Sequence, residues 1–426
     1  MNDFEAFIIR NAEADIPKLL LSCKEWPENK ALAVSTIEAR QKLRKKVPEW
    51  YACTSLIYPN ALCAEQCSSS VTADYKASLA KRVIGDGIRI ADLSGGLGVD
   101  SWAFSKLASE VLYNDRDSGL AEAARHNFAE LGVQGIRVDN QDVTPSSLSS
   151  ILVGFEPDLI YLDPARRSSD GRKVFLLEDC SPDVLKLLPG LMASCRHLLL
   201  KLSPMADISM VVERLNRTYE AFLETSFHTG WNGNWVREIH VVSTGGECKE
   251  LLVWMDREWT GAYSVICRED GGTMEFSSEE ISGAKAVLPD STYFKFLFEP
   301  GKSLTKAGVF NALCGKLGLT KLARSTHLYT LSDPAAGSNF AERIEDLKKY
   351  GKVFEVQEVL PMDKAAFKDV RRRYPASEVS ARNIPLSSDE LRSKLGVSSG
   401  EDAHIFGAKV ELPFQSGNFL LVCRKV

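Results

Sequence analysis

Five short apolar runs between residues 88 and 202 constrain the fold of this chain more than any other feature. They read Ile-Arg-Ile-Ala-Asp-Leu (88–93), Val-Leu-Tyr-Asn-Asp (111–115), Ile-Arg-Val-Asp-Asn (136–140), Asp-Leu-Ile-Tyr-Leu-Asp (158–163) and His-Leu-Leu-Leu-Lys-Leu (197–202). Segments of crossover length separate them. Runs that are nearly continuous rather than alternating belong to parallel strands buried on both faces, so the expected class is α/β with a parallel sheet. Two further strands, 238–244 and 250–255, are joined by Gly245-Gly246-Glu247-Cys248-Lys249, and the sheet is expected to finish with an antiparallel pair.

A chain of 426 residues outgrows a single core. Changes of pattern divide it into a helical N-terminal element (1–78), the α/β domain (79–258), a connecting α+β, ferredoxin-like domain (259–345) with a hairpin signal at Asp270-Gly271-Gly272, and a final module (346–426). In the last, strand 353–360, helix 363–373, strand 378–384, helix 388–395 and strands 403–411 and 418–425 give the order βαβαββ.

Composition excludes several classes. The acidic start, Met1-Asn2-Asp3-Phe4-Glu5, is followed by no apolar stretch of membrane-spanning length. Ten cysteines stand singly without CxxC or paired histidines, so reduced thiols, a cytoplasmic location and no metal centre are expected. The net charge of −5 argues against an evenly basic nucleic-acid coat. Basic residues instead cluster at Arg40–Lys46, in the acid-free stretch 301–332 (Lys302, Lys306, Lys316, Lys321, Arg324), and at Lys364, Lys368, Arg371, Arg372 and Arg373.

The first apolar run opens directly into Ser94-Gly95-Gly96-Leu97-Gly98-Val99-Asp100. Glycines let backbone approach a ligand, and a helix start supplies unpaired N–H groups. A dinucleotide site would show G-x-G-x-x-G here. The G-G-x-G spacing after Asp92 instead suits S-adenosylmethionine, whose ammonium requires a carboxylate partner. Asp115 ends the next run about twenty residues on, where an acid accepts both ribose hydroxyls. Asp142 follows the third run, in position to accept the adenine amino group. Taken singly, Asp115 also reads as a turn acid and Asp142 as a helix N-cap.

These residues resemble the class I methyltransferases over about 180 residues, which implies a Rossmann-like sheet. Asp92 with Gly95, Gly96 and Gly98 is similar to the first motif of that family, Asp115 to the second, Asp142 to the third, and Asp163-Pro164-Ala165-Arg166 to the catalytic tetrapeptide. More narrowly, Glu65-Gln66-Cys67-Ser68-Ser69, Thr72-Ala73, Tyr75-Lys76-Ala77, the glycine turn, Tyr161–Arg167, Lys201–Pro204 and Gly245–Leu252 resemble bacterial methyltransferases with a THUMP-like C-terminal domain. The resemblance implies cofactor contacts from Thr72, Asp92, Ser94, Gly95, Gly96, Leu97, Gly98, Asp100, Asp115, Arg116, Asp142 and Val143. Lys76 is either a further member of the site or part of a plain connecting helix.

In amino-group methyltransferases the tetrapeptide is Asp or Asn, Pro, Pro, aromatic, and its polar oxygen holds the target amine in line with the methyl group. Asp163 and Pro164 fit as catalytic residues. Arg166 replaces the aromatic; a guanidinium stacks on a base or meets phosphate, and equally forms a structural ion pair. Arg167 and Lys201 join the expected substrate contacts. No cysteine accompanies Pro164 or Lys201–Pro204, which disfavours a covalent thiolate route and leaves direct transfer. His126, His197 and His240 read as structural.

THUMP domains elsewhere deliver RNA, so the resemblance implies an RNA partner (tRNA or rRNA), docked by Arg371, Arg372 and Arg373. The same run also reads as a solvated helix face. A cofactor-fold scaffold without turnover and a small-molecule methyltransferase are the competing readings.

Overall fold

The computed structural model describes residues 3–166, 177–225, 233–331, 340–413 and 416–426. The chain forms two compact units, Met1–Arg237 with Leu252–Gly261, and Glu238–Leu251 with Ala262–Val426.

The first unit begins with helices α1 (Asp3–Arg10), α2 (Ile16–Ser22), α3 (Lys30–Lys46), α4 (Pro48–Ala52), α5 (Ala61–Gln66) and α6 (Ser70–Val83). A capping box starts α6, with Ser69 and Thr72 satisfying each other's backbone N–H groups. The helix runs past residue 78 almost to the sheet and packs on α7 (Val99–Ser105). Strands β1 (Arg89–Asp92), β2 (Glu110–Asn114), β3 (Ile136–Asp139), β4 (Leu159–Leu162) and β5 (His197–Leu202) pair in parallel in the order β5-β4-β1-β2-β3. All four residues of β4 are buried, as a strand covered on both faces requires. The strand order reverses between β1 and β4, which creates a crevice at their carboxyl ends. This is the Rossmann-like class I arrangement.

The second hairpin is tighter than its sequence spacing implies. Strands Val236–Thr244 and Glu247–Asp256 extend to within two residues of each other, and Gly245 and Gly246 alone form the turn, both at positive φ. Within the second unit, Ser264–Glu269 pairs in parallel with the first of these strands and antiparallel with Gly272–Ser277.

A separate seven-stranded sheet follows, in the spatial order Leu319–Ala323, Thr326–Leu331, Phe296–Pro300, Gly351–Pro361, Ser416–Lys425, His404–Glu411, Glu378–Arg382. Its central pairing, Phe296–Pro300 against Gly351–Pro361, runs across residue 345. The change of pattern at 345/346 is therefore not a break in the sheet. One apolar cluster spans it, containing Leu297, Leu322 and Leu328 together with Phe354, Phe406 and Leu421. The helix Lys364–Arg373 turns Ala366, Phe367 and Val370 toward Ile405, Leu420 and Val422 of this sheet.

Candidate active site

The glycine turn is built around ring contacts that leave no room for side chains. A Cβ on Gly95 would lie 2.1 Å from the Tyr113 ring, and one on Gly98 would lie 2.6 Å from Phe128. Gly98 also holds φ at 87°, a left-handed conformation, as the N-cap of α7. Tyr113 donates its hydroxyl proton to the Gly96 carbonyl at 2.6 Å, and the Gly96 N–H donates to Asp115 Oδ2 at 2.8 Å. The turn is thus tied to the end of β2. Leu97 is buried beneath it.

Asp92 is fully buried, and its carboxylate accepts the Ser94 N–H at 3.1 Å and the Ser101 hydroxyl at 2.6 Å. Burial pushes this carboxyl up to about 7; the Ser101 and Ser94 hydrogen bonds oppose the shift, while the charges of Asp100 and Asp163 add to it. A buried acid with so raised a pKa beside a glycine turn fits a site that receives a cation, such as the ammonium of S-adenosylmethionine.

Asp115 Oδ1 accepts the Asp117 N–H, so both carboxylate oxygens already orient the loop while retaining lone pairs for further donors. Asn140 donates to the Asp115 carbonyl at 2.7 Å, and Asn114 binds both the carbonyl and the N–H of Gln141, which aligns the segment after β3 with the end of β2. Asp142 in that segment is exposed and Val143 is buried. Arg116 is exposed and donates to Ser181 Oγ at 3.1 Å. Thr72 is buried, and its hydroxyl serves the capping box of α6.

At the end of β4, the Asp163 N–H donates to the Ser94 hydroxyl at 2.6 Å. Lys201, near the end of β5, donates to Asp163 Oδ2 at 2.6 Å, and the Asp163 side chain is 35% exposed, open on one side. Burial raises the Asp163 carboxyl and the Lys201 charge opposes that rise. Pro164 is buried. Arg166 pairs in a two-residue strand with Cys180; its side chain, and all of Arg167, lie outside the described residues.

Asp100 sits on the first turn of α7 with its carboxylate buried. Its Oδ1 lies 3.1 Å from the fully buried Lys76 ammonium of α6, and its Oδ2 accepts the hydroxyls of Ser68 at 2.8 Å and Tyr161 at 2.9 Å. Burial disfavours its charge, yet Lys76, Lys201 and the two hydroxyls outweigh burial and hold the carboxyl below its usual range. Four elements thereby meet in one cluster: the Ser68 to Lys76 segment, α7, β4 and β5. Sequence reasoning passed over Ser68, Ser101, Tyr113 and Tyr161 as site residues; Ser68, Tyr113 and Tyr161 lie inside quoted runs and motifs, while Ser101 carries no local signal.

The basic residues fare unevenly. Arg373 pairs with Glu358 and Asp369, and Arg372 with Asp369 at 2.8 Å, whereas Arg371 is exposed beside Gly396. Lys321 is buried, donating to Asn311 and to the Arg324 carbonyl, so it belongs to no surface patch. Among the described residues, no cluster of His, Cys, Asp or Glu could hold a metal ion, and no helix is long and apolar enough to cross a membrane.

A THUMP domain-like family model matches residues 351–425, and a ferredoxin-like domain model matches residues 296–336. A crystal structure from Porphyromonas gingivalis W83, described as a methyltransferase, is 31% identical, covers 99% of this chain and 97% of its own, and superposes with a TM-score of 0.79. S-adenosylmethionine-dependent methyltransferases of two Mycobacterium tuberculosis strains, CDC 1551 and H37Rv, are each 24% identical over 367 residues, 84% of this chain and 87% of theirs. With the parallel sheet and the glycine turn at its switch point, these matches make the chain a member of the class I S-adenosylmethionine-dependent methyltransferases that carry a THUMP-like C-terminal domain.

Proposed function

We propose that this enzyme methylates an exocyclic amino group of a base in structured RNA by direct transfer. The observation that carries the reading is the attachment of Asp163 to the cofactor turn: its N–H is bonded to Ser94 Oγ, and its carboxylate is held at Oδ2 by Lys201. S-adenosylmethionine supplies a methyl group on a sulfonium that departs as a neutral thioether.

In this reading Asp92 answers the cofactor ammonium, Asp115 accepts the ribose hydroxyls and the Asp142–Val143 segment borders the adenine. Asp163 Oδ1 accepts one N–H of the target amine, which turns the nitrogen lone pair toward the methyl group; as the N–C bond forms and the C–S bond breaks, the nitrogen sheds its surplus proton to solvent at the exposed side of Asp163. Orientation of this kind supplies most of what a transferase needs, because the reacting atoms already carry matched reactivity. RNA is favoured as the acceptor by the THUMP domain-like match over residues 351–425, in line with the RNA partner that the resemblance implies.

Nucleoside mass spectrometry of total RNA from a deletion strain tests the reading, with tritiated-methyl transfer onto that RNA as the direct counterpart. One methylated nucleoside should vanish and be restored by wild-type protein but not by Asp163→Ala. If every modified nucleoside persists at its normal level, the acceptor is not RNA and a small molecule takes its place.

A further inference from the structure

We propose that Lys76 is a positioning residue for methyl transfer: by neutralising the charge of Asp100, directly at Oδ1 and through its hydrogen bond to Ser68, it keeps the Lys201 ammonium on Asp163. The proposal rests on the reading that Asp163 holds the acceptor amine.

Two cations, Lys76 and Lys201, and three carboxyl groups, Asp92, Asp100 and Asp163, meet at the carboxyl ends of β1, β4 and β5, and Ser94 and Ser101 serve Asp92. Lys201 lies 2.6 Å from Asp163 Oδ2, and its charge also reaches Asp100. It therefore has two acids competing for one ammonium. Asp100 is the more deeply buried of the two, with 10% of its side chain exposed against 35% for Asp163. Left uncompensated, a buried carboxylate attracts any cation within reach, because the Coulomb energy grows as the local dielectric falls. In the structure Asp100 is already compensated: Lys76 stands at Oδ1, while Ser68 and Tyr161 both donate to Oδ2. Lys201 is left to Asp163.

The position of Lys76 on its helix also argues for a task beyond packing. The buried residues of α6 are Ser70 and Thr72 in its first turn and Ala73, Ala77, Leu79 and Ala80 around and beyond Lys76, where an apolar side chain would pack without the cost of burying an ammonium. A buried ion pair seldom gains stability over apolar residues of the same size, so it is retained for what it arranges. Here it arranges the acid beside the cofactor turn from outside the parallel sheet. The segment that carries Ser68 and Lys76 is thereby part of the transfer site although neither residue needs to touch cofactor or acceptor.

The test compares wild type, Lys76→Met and Lys76→Met/Asp100→Asn, each crystallised with S-adenosylhomocysteine and assayed for methyl transfer to RNA from the deletion strain. In Lys76→Met, Lys201 should move off Asp163 toward Asp100, and kcat should fall roughly 10- to 100-fold while the KM for S-adenosylmethionine changes less than about threefold. The double variant removes cation and anion together; Lys201 should return to Asp163, and kcat should recover to within about fivefold of wild type. A purely structural role predicts the same recovery of rate but leaves Lys201 on Asp163 in Lys76→Met, so the Lys201–Asp163 distance in the single variant separates the two.

Lys201 remaining within hydrogen-bond distance of Asp163 in Lys76→Met overturns the proposal, as does a double variant that recovers neither distance nor rate. If Lys76→Met does not fold, the double variant decides alone, since loss of its Lys201–Asp163 contact refutes the idea. Should wild type transfer nothing to RNA, the RNA reading fails, and the Lys201–Asp163 distances in the three crystals still judge the positioning role.

Discussion

Ser94 and Asp163, 69 residues apart, are joined by a 2.6 Å hydrogen bond from the Asp163 backbone N–H to the Ser94 hydroxyl. The bond fixes the start of the tetrapeptide segment against the glycine turn, on opposite sides of the strand-order reversal. The glycine turn and the Asp163 backbone are therefore joined directly, and side-chain changes at Asp163 leave this tie in place.

Asp163→Ala should abolish transfer, with loss of at least about a hundredfold in kcat, while S-adenosylhomocysteine binds within a few-fold of wild type. Isothermal calorimetry paired with tritiated-methyl transfer separates the two. A variant that still transfers at a tenth of the wild-type rate excludes Asp163 as the orienting group.

Gly95→Ala should destabilise the protein by roughly 1–3 kcal/mol and weaken cofactor binding, because the added methyl meets the Tyr113 ring and that ring cannot withdraw without breaking its bond to the Gly96 carbonyl. Pairing the change with Tyr113→Leu should recover part of the stability. Denaturant midpoints of the single and double variants measure this, and additive losses would show that the ring is not the obstacle.

Asp92 imposes a pH dependence of definite sign. Its folded pKa of about 7 lies above the 3.8 ordinary for an aspartate, so the folded protein binds the extra proton between those values, and stability declines as pH rises through that window. The penalty is complete above pH 7 and amounts to roughly 4 kcal/mol in the absence of a bound cation. Asp92→Asn should flatten the loss of stability between pH 5 and pH 8 in cofactor-free protein. Asp100 carries the opposite sign, its lowered pKa placing its loss of stability at acid pH outside this interval. Thermal unfolding of both proteins across the series is the check; parallel curves would refute the assignment.

For the helix Lys364–Arg373, replacement of Arg371, Arg372 and Arg373 by alanine should lower the salt dependence of RNA binding by about one unit, well short of the three expected for three phosphate contacts. All three are exposed, but Arg372 and Arg373 are paired with Asp369 and Glu358, whose negative charge offsets theirs towards phosphate. Cofactor affinity should not change. Binding measured from 50 to 200 mM salt gives the slope. An unchanged slope would move the docking surface to Lys302, Lys306, Lys316 and Arg324.

The parallel sheet, the turn at its switch point and the acids at its strand ends are legible in the chain alone. Each of these is written locally, in apolar runs, in glycines placed where backbone crowds Tyr113 and Phe128, and in residues whose role follows from ending a strand. The order of strands and helices from 351 to 425 was legible for the same reason. Tertiary structure alone decided which charges meet. Lys76 finds Asp100, Lys201 finds Asp163 and Arg373 finds Glu358 across 15 to 38 residues. Likewise Lys321 is buried while Lys302, Lys316 and Arg324 are exposed, and strands on either side of residue 345 pair in one sheet despite the change of pattern there. A side chain's electrostatic partner depends on the elements that topology brings beside it, and no periodicity in the chain records that choice.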